Sequence, residues 1–153
     1  ITLRASTSTA KPVIRVVGKI PNLSAVVRIG RIEVMGMDQD VQVFNFSGDI
    51  KLEKLTGAIR AGVVDGAIQL VESSGATRLL SNTGAIQIQR HQGTVDVETG
   101  TGGTTVEDVR GRLNLTSYRG KILVEKSSGQ MDFSVQNSRV DVQDFSGKIR
   151  GVG

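Results

Sequence analysis

GDIKLEKLTGAIRAGVVDGAIQLVESSGATRLLSNTGAIQI, residues 48–88, writes one phrase five times: a glycine followed by x-apolar-x-apolar, at Gly48, Gly57, Gly66, Gly75 and Gly84. The spacing is nine residues throughout. Downstream, Gly93, Gly102, Gly111, Gly120 and Gly129 keep the register, Ser138 stands in for glycine once, and Gly147 resumes it. Upstream it runs through Gln39, Gly30, Pro21 and Pro12, where PNLSA and PVIRV retain the apolar positions with proline in place of glycine. ITLRASTSTA, at the start, falls outside the register.

With the glycine as position 0, position 2 reads Ile50, Ile59, Ile68, Thr77, Ile86, Val95, Thr104, Leu113 and Ile122, and position 4 is similarly apolar from Val34 to Val142. Position 3 between them is Lys51, Arg60, Gln69, Arg78, Gln87, Asp96, Thr105, Asn114 and Leu123. This period-2 alternation, rich in β-branched residues on its apolar side, specifies short half-buried strands. Position 8 is most often a small polar residue (Ser47, Thr56, Asp65, Ser74, Thr83), so each strand ends in a polar-Gly pair suited to a turn. A hairpin meander needs two kinds of turn. One phrase repeated without change instead favours an all-β parallel β-solenoid, in which every strand meets an equivalent neighbour about 4.8 Å away.

Nine-residue units close equally well into a three-sided coil of 27 residues or a two-sided coil of 18. Position 7 favours the three-sided form. At a lag of 27 it sorts into Met37, Val64, His91, Tyr118 and Phe145 in one column and Phe46, Ser73, Gly100 and Ser127 in another, and Thr77 then stacks on Thr104. The two-sided coil is the alternative. The organisation expected is a single domain over 1–153, with a basic, proline-containing N-terminal part at 1–29 serving as irregular repeats or a cap, and regular repeats over 30–150.

Composition narrows the chemistry. The chain lacks cysteine, which excludes disulfides, thiolate metal sites and cysteine nucleophiles, and no apolar run approaches a membrane-spanning length. It begins at Ile1 rather than Met and reads as an excised or processed segment. The net charge of +4 sits at the N-terminal end: residues 1–36 hold Arg4, Lys11, Arg15, Lys19, Arg28 and Arg31 against Glu33, leaving 13 bases against 14 acids in the rest. Such an end can meet an anionic surface. With one tyrosine, four phenylalanines and no nucleic-acid motif, nucleic acid is not expected as a partner.

The phrases FSGDIKLEKLTGAIRA (46–61), NTGAIQI (82–88), VETGTGG (97–103) and DFSGKI (144–149) resemble the adhesin-like, or toast-rack, β-solenoids of bacterial cell-envelope proteins, over roughly residues 30–150. Those domains often carry Asp after the glycine. Here Asp49 alone does so, and Ala58, Ala67, Ala76 and Ala85 take its place. The resemblance implies a noncatalytic scaffold or binding module in the cell envelope, periplasmic or surface-exposed, and carries over no catalytic residue, cofactor or metal.

A few side chains bear on chemistry. Nine-residue repeats also occur in calcium-binding β-rolls, to which GTVDVETGTGG is the nearest passage, but the Asp is not kept in register elsewhere. A carbohydrate-active enzyme on a β-helix needs converging acids, usually held on long loops. The outward pairs Asp96/Glu98 and Asp141/Asp144 and the sole histidine, His91, are its candidates, and the uninterrupted repeat leaves no room for such loops. Greater interest attaches to breaks in the outward pattern. Met35, Phe44, Val71 and Leu80 at position 5 and Val63 at position 6 are apolar where other repeats are polar, which marks a surface for a protein partner, a flanking segment or self-association. Arg110, Arg112, Arg119 and Lys121 form a candidate anion-contacting group around the later turns. The solenoid ends, with open strand edges, give a second expectation: a structural element that self-assembles end to end.

Overall fold

The computed structural model describes residues 1–5 and 12–153. Lys11 and the whole of STSTA (6–10) therefore lie outside the described residues. Among the described residues twelve strands follow one another: β1 Thr2–Ala5, β2 Val13–Val17, β3 Leu23–Ile29, β4 Arg31–Met35, β5 Val41–Ser47, β6 Ile50–Glu53, β7 Ile59–Asp65, β8 Ile68–Thr83, β9 Ile86–Glu125, β10 Ser128–Val135, β11 Ser138–Gln143 and β12 Ser146–Val152. Every recorded pairing between them is parallel. The chain is a β-solenoid.

Register gives the size of the coil. Ile32 pairs with Ile50, Ile50 with Ile68 and Ile68 with Ile86, each step being 18 residues. Leu23 pairs with Val41, Val41 with Ile59 and Ile59 with Thr77 at the same step. The expected 27-residue three-sided coil is thus corrected to its alternative, the two-sided coil of 18 residues, stacked about eight turns high. One ladder runs β1–β3–β5–β7 into the second half of β8, and the other runs β2–β4–β6 into its first half. Both continue through β9, the first to β10 and β12 and the second to β11. Strands β8 and β9 run on through several corners because the corner residues pair as well, as in Gly75↔Gly93. The start departs from the 18-residue step: Thr2 pairs with Ser24, so the segment expected to lie outside the repeat supplies a strand at the head of the first ladder.

Positions 2 and 4 of both ladders meet in one core. Ile32, Ile50, Ile68 and Ile86 are all but fully buried, as are Leu52, Leu70 and Ile88 beside them, opposite Leu23, Val41, Ile59, Leu79 and Val95. Burying each large aliphatic side chain contributes about 1.5–3 kcal/mol, and stacking like on like avoids the mismatched volumes that open cavities. Thr77 and Thr104 do not stack: they occupy opposite ladders, and both hydroxyls are buried without a partner.

Two unlike corners join the ladders, and this is why position 7 misled. At the first corner position 6 takes a left-handed conformation and position 7 turns inward. Lys54, Glu72, Arg90, Asp108, Lys126 and Asp144 have φ between 49° and 54°, continuing a column that begins with Gly18 and Gly36. Behind them Met37, Leu55, Ser73, His91, Val109 and Ser127 are buried. Ser73 Oγ accepts from the Leu55 amide at 3.2 Å and donates to the Val71 carbonyl at 3.0 Å, and Ser127 does the same with Val109 and Glu125 at 3.1 and 2.8 Å. At the second corner position 6 is buried instead (Val27, Asn45, Val63, Ser81, Thr99, Ser117), and position 7 faces outward at Phe46 and Tyr118. A lag of 27 alternates between the two corners, whereas 18 keeps to one.

The glycine columns are needed on steric grounds. Gly84 has φ of 133°, and a Cβ there would run into the carbonyl of Gly66 one coil below. Where Ser138 replaces glycine, the left-handed residue becomes its predecessor Asn137 at φ 47°, and beside Pro21 it is Asn22 at 45°. Asparagine tolerates that region better than other non-glycine residues.

Candidate binding groove

Outward-facing side chains at the second corner stand in two rows, position 5 on one side and position 7 on the other, with the backbone of position 6 as the floor between them. Up the axis the rungs are Phe44/Phe46, Gly62/Val64, Leu80/Asn82, Glu98/Gly100, Thr116/Tyr118 and Ser134/Gln136. The channel between the rows encloses about 550 Å³, within the range of ligand sites. Phe44 and Phe46 meet edge to face with centroids 5.5 Å apart, and Tyr118 is 55% exposed. Two glycines hollow the channel. A Cβ at Gly62 would stand 3.0 Å from the Phe44 ring, and one at Gly100 would lie 2.6 Å from the Asn82 carbonyl oxygen.

The apolar residues singled out by sequence divide here. Phe44 and Leu80 line the groove and are each 38% exposed. Met35 and Val71 are half-buried on the other ladder, where the Met35 sulfur accepts from Arg15 at 3.9 Å. They do not extend the patch. Val63 is corrected outright: position 6 points inward at this corner, its side chain is 3% exposed, and it belongs to the core beneath the groove floor. Tyr118, Asn82 and Gln136, which also line the groove, are not among the surface residues that the sequence marks out. Their common column with Phe46 and Val64 emerges only at the 18-residue lag.

The four basic residues also divide. Arg110 and Arg112 flank Gly111 at the first corner, and Arg119 and Lys121 flank Gly120 at the second. Three of them have partners: Arg110 faces Asp108 at 3.7 Å, Arg112 donates to Gln130 Oε1 at 3.4 Å, and Lys121 meets Asp141 at 3.2 Å. Arg139 on the other side of Asp141 and Lys121 together hold its carboxyl below the usual carboxylate range. No single anion cradle results.

Of the acids and the histidine considered for catalysis, Asp96 and Glu98 share one depression, and His91 and Asp144 lie apart from it. His91 is buried, its Nε2 3.2 Å from the Gly75 carbonyl oxygen and its Nδ1 without a partner, and desolvation lowers its pKa. Asp96 and Glu98 line a smaller depression beside the groove together with Arg78, Asn114 and Thr116. Asp96 accepts from Asn114, and Glu98 lies 4.0 Å from Arg78. Asp144 sits in the left-handed column of the opposite corner. Among the described residues, no three His, Asp or Glu side chains gather closely enough to hold a metal ion. Comparison of the chain with protein-family models, with curated proteins and with solved structures finds no match.

Proposed function

We propose that this chain is a noncatalytic binding module: a stiff solenoid scaffold that presents the second-corner groove to a ligand, as an adhesin-like component of a bacterial cell envelope. The groove carries this reading. It combines exposed aromatic and aliphatic side chains with hydrogen-bonding groups on a backbone whose every rung is fixed by its neighbours, so little conformational entropy is lost on binding. The envelope setting rests on the toast-rack resemblance of the Gly-x-apolar-x-apolar phrases. The test is adherence of beads coated with the purified protein to bacterial and host cell surfaces. Phe44→Asp with Leu80→Asp should abolish adherence without unfolding the protein, because both side chains are partly exposed; undiminished adherence by that variant sinks the groove as the binding site.

A second reading has its own observation. Strand β12 pairs with β10 on one side, all its residues are exposed, and Ile149 and Val152 stand 47% and 73% open, so its other edge can accept a further coil or a second copy. Size-exclusion chromatography with light scattering across concentration separates the two. Filaments growing with concentration would favour self-assembly, and a constant monomer mass would favour the binding module.

A further inference from the structure

The groove changes character along the solenoid axis. Phe44, Val64 and Leu80 make one end apolar, while Asn82, Glu98, Tyr118 and Gln136 surround the other. Among the described residues no lysine or arginine lines it, and its one charged group is the Glu98 carboxylate. An anionic ligand would therefore meet the Glu98 carboxylate and no cation of the groove's own lining, Arg78 facing Glu98 at 4.0 Å from the neighbouring depression. A purely apolar ligand would strip water from two amides and a carboxylate and return no hydrogen bonds, a costly exchange. An extended peptide would find no free main chain to pair with, since the floor is already committed coil to coil, as in Leu80↔Glu98 and Ser81↔Thr99.

What fits is a ligand with flat C–H faces and a rim of hydroxyls. The open Tyr118 ring offers an apolar face, each amide both donates and accepts, and the carboxylate accepts from hydroxyl groups. Polar groups continue sideways: the neighbouring depression shares Glu98 and Thr116 with the groove and adds Asp96, Asn114 and the Arg78 guanidinium, whose charge the two carboxylates offset. We propose that the polar end of the groove is a subsite for neutral oligosaccharides, with Tyr118 as stacking platform and Asn82, Glu98 and Gln136 as hydroxyl-binding groups. This assignment rests on the binding-module reading and names its ligand class.

Isothermal titration of the purified protein with maltohexaose, cellohexaose, hexa-N-acetylchitohexaose and, as an anionic control, hexagalacturonate tests it. At least one neutral hexasaccharide should bind saturably. Tyr118→Ala should weaken that binding at least tenfold, Asn82→Ala with Gln136→Ala should weaken it several-fold, and Lys54→Ala at the opposite corner should leave it unchanged. Absence of binding to all three neutral sugars, unaltered binding by Tyr118→Ala, or tighter binding of hexagalacturonate would overturn the proposal. If beads still adhere through Phe44 and Leu80 while no sugar binds, the glycan assignment fails and the binding module stands; if neither occurs, both fail. Cleavage of a bound hexasaccharide would support the subsite and overturn the noncatalytic reading.

Discussion

His91 brings the chain's one imidazole into the interior, where desolvation by the surrounding core lowers its pKa from the ordinary 6.5 despite the Gly75 carbonyl. The sign of the consequence follows from linkage. Above the unfolded value neither state binds the proton; below it the unfolded chain takes the proton first, so stability falls as the pH drops from about 6.5 toward the folded pKa. Urea midpoints should be level near pH 7–8 and decline below that, and His91→Leu should remove this part of the decline; a parallel pH profile for wild type and variant would exclude the mechanism. Gly84 makes a different demand. With φ of 133° and a carbonyl in the place of any Cβ, Gly84→Ala should cost about 2–3 kcal/mol, read from chemical denaturation. Ser73→Ala removes the acceptor of the buried Leu55 amide and should cost about 1–3 kcal/mol by the same measurement.

The strands themselves were legible because each is specified locally. The apolar side chains at positions 2 and 4 must share a face wherever the chain is extended, so the interior positions of Ile50 or Leu70 follow from alternation alone. Corners are not specified in that way. Position 7 goes in at Ser73 and out at Asn82 because the left-handed residue before Ser73 reverses the alternation, and no composition rule places Glu72 in that conformation. Lys54, Glu72 and Arg90 are residue types that seldom adopt positive φ, so coil size, and with it the groove, stayed hidden. Their charges alternate up the column, Arg90 meeting Glu72 at 2.9 Å. Lys126, hydrogen-bonded to Glu107, has its pKa raised. Arg90→Glu would place three acids in succession. It should lower stability by about 0.5–2 kcal/mol in low salt, the loss shrinking as salt screens the repulsion; a salt-independent loss would assign the cost to something other than charge.

As a whole the molecule is close to one-dimensional: each coil touches the coils above and below, and stability accumulates coil by coil. Its backbone repeats every 18 residues, yet its charged edge repeats every 36, since Lys54, Arg90 and Lys126 alternate with Glu72, Asp108 and Asp144. The two periods give excision of coils a parity. Removal of residues 73–108 seats Glu72 against Lys126 and keeps the alternation, whereas removal of 73–90 seats it against Asp108. The shorter excision should therefore yield a protein whose melting temperature rises with added salt, and the longer one a protein whose melting temperature does not. On charge grounds the solenoid tolerates the loss of coils best in pairs, and the unit of its electrostatics is twice the unit of its fold.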